Sequence, residues 1–269
     1  MHQTKEEQLL YKRFCELSRV AYQRGICMYS EFTGLAGRTL AWQAVAEQYS
    51  DLPEQALPIT AYGGYEEAER VILCFLPDRD SDIPLTECYP LRCVRIAPVN
   101  RRFGEDLSHR DYLGTIMGLG LERDQIGDIL VRQEGTAGAE ATVGYVFCKA
   151  NKAELLTDLT RIRHTTVTAE VIEPGQLHWE QKYKDISGSV SSLRLDAVIA
   201  VAIRTSRTQG LQLVRDGNIY INGKCCTENA KLLQDGDVIS VRGHGKYRFR
   251  YTGSQSKKGR YQITVQQYI

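Results

Sequence analysis

The chain has 269 residues, 42% of them hydrophobic and 25% charged, with a formal net charge of +1 at pH 7. This composition is typical of a globular protein with two or three domains. No apolar run reaches the about 18 residues of a transmembrane helix, which excludes a membrane span. The polar start Met1–Glu7 lacks the apolar core of a secretory leader.

Charge is distributed unevenly along the chain. Residues 176–269 hold 15 Lys and Arg against 7 Asp and Glu, a net charge of +8. Residues 1–175 hold 19 against 26, a net charge of −7. Because clustered Lys and Arg displace counterions from phosphates, the basic part predicts a polyanionic partner. The acidic part is expected to repel RNA and is a candidate surface for a protein partner.

The eight cysteines form no recognisable framework. No C-x-x-C motif occurs, Cys88 and Cys93 have no histidine pair nearby, and Cys225-Cys226 falls in a predicted turn. Zinc sites and disulfide scaffolds show more regular spacings. The sequence therefore predicts a reduced, soluble, cytoplasmic protein without a metal site. A monomer in solution and the absence of a cofactor are further expectations.

The first predicted elements are helices. Apolar residues recur at helical spacing over residues 4–25, at Leu10, Phe14, Leu17 and Ala21. A second helix is predicted to end near Tyr49, before Pro53. We therefore expect a small helical region over residues 1–62. The Gly63-Gly64 pair that follows lacks the Gly-Lys-Ser/Thr of a phosphate loop, so no nucleotide site is predicted there.

Residues 63–178 are predicted to form an α+β domain. After a strand at residues 71–76, strands are expected at 93–97, 128–131, 142–148 and 165–172, and helices at 108–117 and 152–162. This is the βαββαβ order of ferredoxin-like folds, which RNA-recognition modules share. Ser108 is the expected N-cap of the first of these helices, with Asp111 reaching back to it. The predicted class is therefore multidomain α+β.

Two aromatic residues lie on the third strand of this predicted domain. Tyr145 and Phe147 alternate along the strand and so share one face of the sheet. Aromatic residues at this place stack on bases in RNA-recognition modules. The full basic-aromatic consensus is missing here, and the segment is acidic. Base stacking and packing against other parts of the protein both remain open.

Residues 179–190 are predicted to be a linker. Trp179 is expected to close the middle domain, and Ser187-Gly188-Ser189 has the composition of a flexible segment. Such a linker would let the acidic and basic parts contact different surfaces.

The basic domain is predicted over residues 191–269. One helix begins near Ser192, and a second is capped by Ser206 and ends at Asp216-Gly217. A strand that runs into a turn is expected over residues 219–224, and a second strand over residues 236–242. This order resembles the RNA-binding domain named after small-subunit ribosomal protein S-four, and we refer to it as the S-four-type domain.

A set of polar and basic residues in this domain is predicted to contact RNA. A helix N-terminus flanked by arginines is a favourable place for a phosphate. Asp196 is interpreted as a helix-start carboxylate that pairs with a nearby arginine. The predicted RNA-binding residues are Arg194, Arg204, Thr205, Ser206, Arg207, Gln209, Arg215, Lys224, Arg242, His244 and Lys246.

Motifs along most of the chain resemble the YlmH family of bacterial RNA-binding proteins. They are Gly63–Tyr65, Glu69-Arg70, Leu107–Gly114, Gly118–Arg123 and Ile126–Ile129. Family members tend to have Gly-Arg-Phe near the chain end, where this sequence has Gly-Lys-Tyr, which keeps the charge and the ring.

The YlmH resemblance implies a non-enzymatic factor of the translation machinery. It implies binding to rRNA and tRNA on a large ribosomal subunit that carries a stalled peptidyl-tRNA. It also implies assistance to C-terminal alanine tailing in ribosome-associated quality control.

Two alternatives remain beside that reading. One is an RNA-modifying enzyme, because pseudouridine synthases carry the same basic domain and a catalytic aspartate in an Arg-Leu-Asp context. The Arg194-Leu195-Asp196 triplet has the same three residue types, but it lies at a helix start inside the binding domain. The other alternative is a cell-division-associated RNA-binding adaptor.

Overall fold

The computed structural model describes residues 4–78, 80–82, 84–100, 104–136, 140–173, 177, 179–251, 253–256 and 259–269. The chain divides into two compact units, Met1–Trp179 and Glu180–Ile269. Both combine helices with antiparallel sheets, so the predicted multidomain α+β class is confirmed. No helix in the described ranges is long and apolar enough to cross a membrane.

The first unit begins with two helices and a three-stranded sheet. The helices are α1 (Lys5–Arg24) and α2 (Leu35–Gln48), and the strands are β1 (Met28–Thr33), β2 (Ile59–Tyr62) and β3 (Val71–Phe75). Thr4 and Glu7 form a capping box that starts α1, and Gly25 ends it in the left-handed conformation. The predicted apolar stripe of α1 packs against α2 and β3.

The two helices predicted within residues 1–62 are present, but the description of this region as helical is wrong because it also contains strands. Strands β1 and β2 lie within it, and they pair with the two edges of β3 in the order β1-β3-β2. The predicted boundary after residue 62 therefore divides one sheet. Short strands give weak local signals, and these two are stabilised by β3, all five residues of which are buried.

The second part of this unit is a larger sheet with helices on one face. Its helices are α3 (His109–Gly118) and α4 (Ala153–Thr157). Its strands are β4 (Leu91–Pro98), β5 (Ile126–Glu134), β6 (Ala141–Lys149), β7 (Arg161–Ile162) and β8 (Thr165–Ile172). The antiparallel order β5-β6-β4-β8-β7 is that of the ferredoxin-like fold, with β7 added at one edge. The Ser108 N–H donates to Asp111 at 2.8 Å, as predicted for the start of α3.

One predicted helix of this sheet is shorter than expected. The sequence predicts a helix over 152–162, but α4 ends at Thr157 and the chain then forms the β7–β8 hairpin. Arg163 in its turn adopts a φ of 51°, a left-handed conformation that no helix allows. Tight strand pairing therefore replaces the last helical turns.

The face of this sheet away from α3 and α4 is covered by the β1-β3-β2 sheet. Tyr145 is 4% exposed and Phe147 is fully buried, in a core with residues of β1 and β3. The Phe147 ring stacks on Tyr65 with centroids 5.3 Å apart. A Cβ on Gly64 would lie 2.2 Å from that ring, so only glycine fits there. The packing alternative for these two aromatics is therefore confirmed, and they are not available to bases.

The second unit is one six-stranded sheet with two helices on one face. The helices are α5 (Leu195–Ala202) and α6 (Arg207–Arg215). The strands are β9 (Tyr183–Val190), β10 (Ile219–Ile221), β11 (Lys224–Cys225), β12 (Val238–Val241), β13 (Gly245–Arg250) and β14 (Tyr261–Tyr268). All neighbours are antiparallel in the order β11-β10-β12-β13-β14-β9. Asn222 and Gly223 both have positive φ and form the turn of the β10–β11 hairpin, where the sequence predicted a strand that runs into a turn.

The predicted linker over 179–190 is corrected by strand β9. Eight residue pairs join β9 to β14, from Tyr183 opposite Tyr268 to Val190 opposite Tyr261. Ile186 and Val190 face the core beneath α5. Gly188, interpreted as a flexible position, faces the same way, and its missing side chain makes room for Val201. The small residues of this segment therefore serve close packing.

Candidate nucleic-acid interface

A buried carboxylate holds two of the predicted arginines at the start of the S-four-type helices. The side chain of Asp196, in the first turn of α5, is 5% exposed. Arg194 Nε donates to Asp196 Oδ1 at 3.2 Å, and Arg207 Nε donates to Oδ2 at 3.0 Å. The predicted pairing of Asp196 with a nearby arginine is confirmed, and it involves two arginines.

The two guanidinium groups remain accessible while they are held. The side chain of Arg194 is 33% exposed and that of Arg207 is 53% exposed. The Ala197 N–H also donates to Asp196 at 3.0 Å, which fixes the carboxylate against the helix start. Arg207 comes from the first turn of α6, so the pair brings together residues 13 positions apart. A fixed pair of planar cations is suited to phosphate oxygens.

Close packing of α5 on α6 makes this pairing possible. A Cβ built on Gly210 would lie 3.1 Å from the Asp196 carbonyl oxygen. The absence of a side chain lets the α6 backbone approach α5 at the turn that carries the carboxylate. The ion pairs thus depend on a glycine that the sequence analysis did not single out.

The turn between α5 and α6 brings together four more residues of the predicted set. Arg204 is exposed and has a φ of 51°. Ser206 caps α6 by accepting from the Gln209 N–H at 3.2 Å, and the Thr205 hydroxyl donates to the Gln209 side-chain oxygen. The predicted N-cap is confirmed. Thr205, Ser206 and Gln209 therefore have a structural task, and Arg204 is the charged group that this turn presents.

Another part of the predicted set lies at the other end of α6. Arg215 is the last residue of α6 and is exposed. Arg242 and His244 are exposed in the β12–β13 turn, and the Arg242 N–H donates to Asn218 three residues beyond Arg215. Lys224 is half-buried in β11 and pairs with Ile221. These residues lie at the end of α6, in the β12–β13 turn and in β11.

Lys246 does not join either group. It lies in β13 next to the buried Tyr247, and its side chain is on the sheet face opposite α5 and α6, with Nζ 5.1 Å from the Tyr268 ring centroid. Arg248, Tyr183 and Tyr268 on that same face were not predicted. The alternation of cationic and aromatic residues along residues 246–250 is the sequence signal that could have identified Arg248.

Several of the YlmH-like motif residues of the first unit form one hydrogen-bonded cluster. Asp128 accepts hydrogen bonds from the Glu69 N–H at 2.7 Å and from the Tyr65 hydroxyl at 2.9 Å. Arg70 donates to carbonyl oxygens of Ile126 at 2.9 Å and Phe32 at 3.2 Å. Burial, and next the neighbouring Arg123, lower the pKa of Arg70 to about 10. The cluster connects the smaller sheet to the start of β5.

Two parts of the chain match known protein families. Residues 84–173, which contain the ferredoxin-like sheet, match the family described as "Putative RNA-binding domain in YlmH". Residues 193–239, from the start of α5 into β12, match the S4 domain family. The predicted resemblance to the YlmH family is confirmed.

Relatives of this YlmH-like chain include one curated protein of Bacillus subtilis (strain 168). It is named "Ribosome-associated protein quality control protein P2" and is 29% identical over 206 residues, which cover 76% of each chain. A solved structure, "Cell division protein ylmH from Streptococcus pneumoniae", is 21% identical with a TM-score of 0.49. That match covers 65% of this chain and 96% of the other. The chain is thus a homologue of a ribosome-associated quality control protein and carries RNA-binding domains.

Proposed function

We propose that this chain is a non-enzymatic RNA-binding factor of ribosome-associated quality control in the cytoplasm. It binds rRNA and tRNA on a large ribosomal subunit that carries a stalled peptidyl-tRNA, and it assists C-terminal alanine tailing. The observation that carries the proposal is the Asp196 carboxylate holding Arg194 and Arg207 together in the basic part of the chain.

The geometry favours a rigid structured RNA over a flexible polyanion at this site. Two guanidinium groups fixed on one carboxylate match phosphates at a set spacing, because their side-chain freedom is already restricted. Arg204 extends the same site at the α5–α6 turn, and Arg215 and Arg242 extend it at the far end of α6. Folded rRNA and tRNA present phosphates in such fixed arrangements.

The position of Asp196 argues against the pseudouridine-synthase alternative. A catalytic carboxylate must reach the substrate, but the Asp196 side chain is 5% exposed and its oxygens accept from two arginines and a backbone N–H. Its role is to position cations. The other residues of the predicted set are cationic side chains, helix-cap residues and one exposed histidine, which together favour binding.

The first unit supports the proposal in a different way. Its net charge of −7 over residues 1–175 disfavours general RNA binding. The aromatic face of its ferredoxin-like sheet is covered by the smaller sheet. We therefore assign the main RNA contact to the second unit of a monomeric chain, and a protein contact to the acidic unit.

The test is sedimentation of the full chain with separated ribosomal subunits at low and physiological salt. Wild-type protein is expected to comigrate with the large subunit in a salt-sensitive manner. Arg207→Ala is expected to weaken comigration and to reduce the salt slope by about one unit. Arg19→Ala, which removes an exposed arginine from α1 in the acidic unit, is the matched control.

A second variant separates binding from folding. Arg215→Ala changes an exposed residue at the end of α6 that does not pair with Asp196, so it leaves the buried carboxylate satisfied. If neither variant changes comigration, or if the wild-type protein never leaves the top of the gradient, the proposed function is wrong.

A further inference from the structure

The two faces of strand β13 differ in chemistry. Tyr247 and Phe249 are buried in the core beneath α5 and α6. Because side chains alternate along a strand, Lys246, Arg248 and Arg250 lie on the opposite face of the sheet. We call this face, away from the helices, the outer face.

Strand register places aromatic residues at both ends of one row across the outer face. Tyr220 lies opposite Ser240, Ser240 lies opposite Lys246, and Tyr268 lies opposite Tyr183. The Lys246 Nζ lies 5.1 Å from the Tyr268 ring centroid, which joins the two halves of the row. With strands about 4.8 Å apart, the row from Tyr220 to Tyr183 spans roughly 19 Å.

Arg248 lies against the two rings at one end of this row. Its guanidinium carbon is 5.0 Å from the Tyr183 centroid and 5.7 Å from the Tyr268 centroid. The rings themselves meet edge to face at 5.1 Å and an interplanar angle of 73°. These contacts hold a planar cation on an aromatic support.

The surroundings of the row are polar and carry a positive excess. Gln266 is paired with Arg248 across the strands and donates to Asp185 at 3.1 Å. Arg250 forms an ion pair with Asp235 at 3.4 Å, and Arg260 donates to the Ser189 carbonyl oxygen at the strand edge. A phosphate backbone crossing the face therefore meets more cations than carboxylates.

We propose that the outer face binds unpaired nucleotides of a single-stranded RNA segment. Bases stack on the Arg248 guanidinium plane and on the tyrosine rings, and Lys246 contacts a phosphate. Flat surfaces that combine aromatic rings, arginine planes and cations are suited to single strands, whose base faces are free. A double helix hides its base faces, and an acidic protein would need the charges but not the rings. The inference rests on the proposed function in taking RNA as the partner.

This site is distinct from the arginine pair on Asp196. Arg194 and Arg207 belong to the helices on one side of the sheet, whereas Lys246, Arg248 and the tyrosines belong to the other side. One unit can therefore contact structured RNA with its helices and an unpaired segment with its outer face.

The experiment measures binding of fluorescent oligouridine and oligoadenosine to the full chain by anisotropy. Tyr268→Ala is expected to weaken binding roughly 5- to 150-fold, the loss typical of one stacked base. Tyr268→Phe keeps the ring and is expected to restore binding. Arg248→Lys keeps the charge but removes the plane, and it is expected to weaken binding without changing the salt slope.

The matched control is Lys184→Ala. Lys184 is exposed and adjacent to Tyr183 on β9, but its side chain is on the other face. The Lys184→Ala substitution removes a charge near the site without removing a stacking partner, so oligonucleotide affinity is expected to stay unchanged.

The outcomes separate this inference from the proposed function. Wild-type affinity in both Tyr268→Ala and Arg248→Lys overturns the outer-face site, whatever the ribosomal subunits do. Loss of oligonucleotide binding in these variants supports the site even if the wild-type chain fails to comigrate with subunits. If Tyr268→Ala does not fold, the affinity of Arg248→Lys tests the outer-face site instead, because that substitution keeps the size and the charge of the side chain. Unchanged oligonucleotide binding with lost subunit comigration identifies the face as a protein contact and overturns the inference.

Discussion

Gly188 in β9 and Val201 in α5 approach so closely that a Cβ on the glycine would lie 2.6 Å from a Val201 methyl carbon. This contact presses the edge strand of the second unit against the helix that carries Asp196. The serine and glycine residues around it have the composition of a linker, yet they form a strand because they pair with β14 over eight residue pairs.

Gly188→Ala is therefore expected to destabilise the second unit. The added methyl group must displace Val201 or bend β9, and overpacking of this kind costs about 1–3 kcal/mol of unfolding free energy. Urea denaturation of the full chain, followed by a probe in the second unit, measures the effect. Ser187→Ala, exposed on the other side of the same strand, is the control. An equal stability in the two variants would show that the glycine is not needed for packing.

Asp196→Asn separates positioning from simple charge attraction. If RNA binding depended only on net charge, removing this carboxylate would strengthen it. We expect weaker binding instead, because Arg194 and Arg207 lose the group that fixes them. The unfolding free energy is expected to fall by about 3 kcal/mol or less, since the arginines are half-exposed.

The matched control for that change is Asp216→Asn, which removes an exposed carboxylate at the end of α6 in the same unit. It is expected to leave RNA affinity unchanged or slightly higher. Tighter binding by Asp196→Asn than by wild type would refute the positioning role. Anisotropy with a structured RNA fragment gives the affinities, and thermal melting gives the stabilities.

The depressed pKa of Glu134 predicts that the first unit loses stability in acid. Burial disfavours its charge, but hydrogen bonds from Tyr145, Arg95 and Arg132 outweigh burial and lower its pKa from 4.5 to about 2. Because the folded-state pKa is depressed, the stabilisation is complete above the unfolded pKa. It is lost as pH falls from about 5 towards 2.

Glu134→Gln is therefore expected to reduce stability near neutral pH and to make it less dependent on pH below 5. The difference from wild type is expected to reach about 3 kcal/mol at neutral pH and to shrink as the pH falls. Urea denaturation across that pH range tests this. Glu170→Gln, whose carboxylate pairs with the same Arg95 but is 64% exposed, is the control. A difference between Glu134→Gln and wild type that does not change with pH would contradict the assignment.

Local signals in the sequence determined much of this protein. The Ser206 cap of α6 and the Ser108–Asp111 start of α3 depend on hydrogen bonds within four residues, so the sequence alone could predict them. The helix α1 and the βαββαβ order could likewise be predicted, because the spacing of apolar residues along each element is a local pattern. The basic charge of residues 176–269 likewise required no structure.

Tertiary structure decided which of these residues meet. Tyr145 and Phe147 share a face by strand alternation, but only the pairing of β1 and β3 and the position of their sheet determine that this face is buried. Lys246 has the same charge as Lys224, and only the register of β13 places it beside Tyr268. Asp196 could be recognised as a helix-start carboxylate, but its pairing with Arg207 required the close approach of α6 at Gly210. Burial and cross-strand neighbours depend on residues far apart in the chain, and local sequence patterns do not encode those distances.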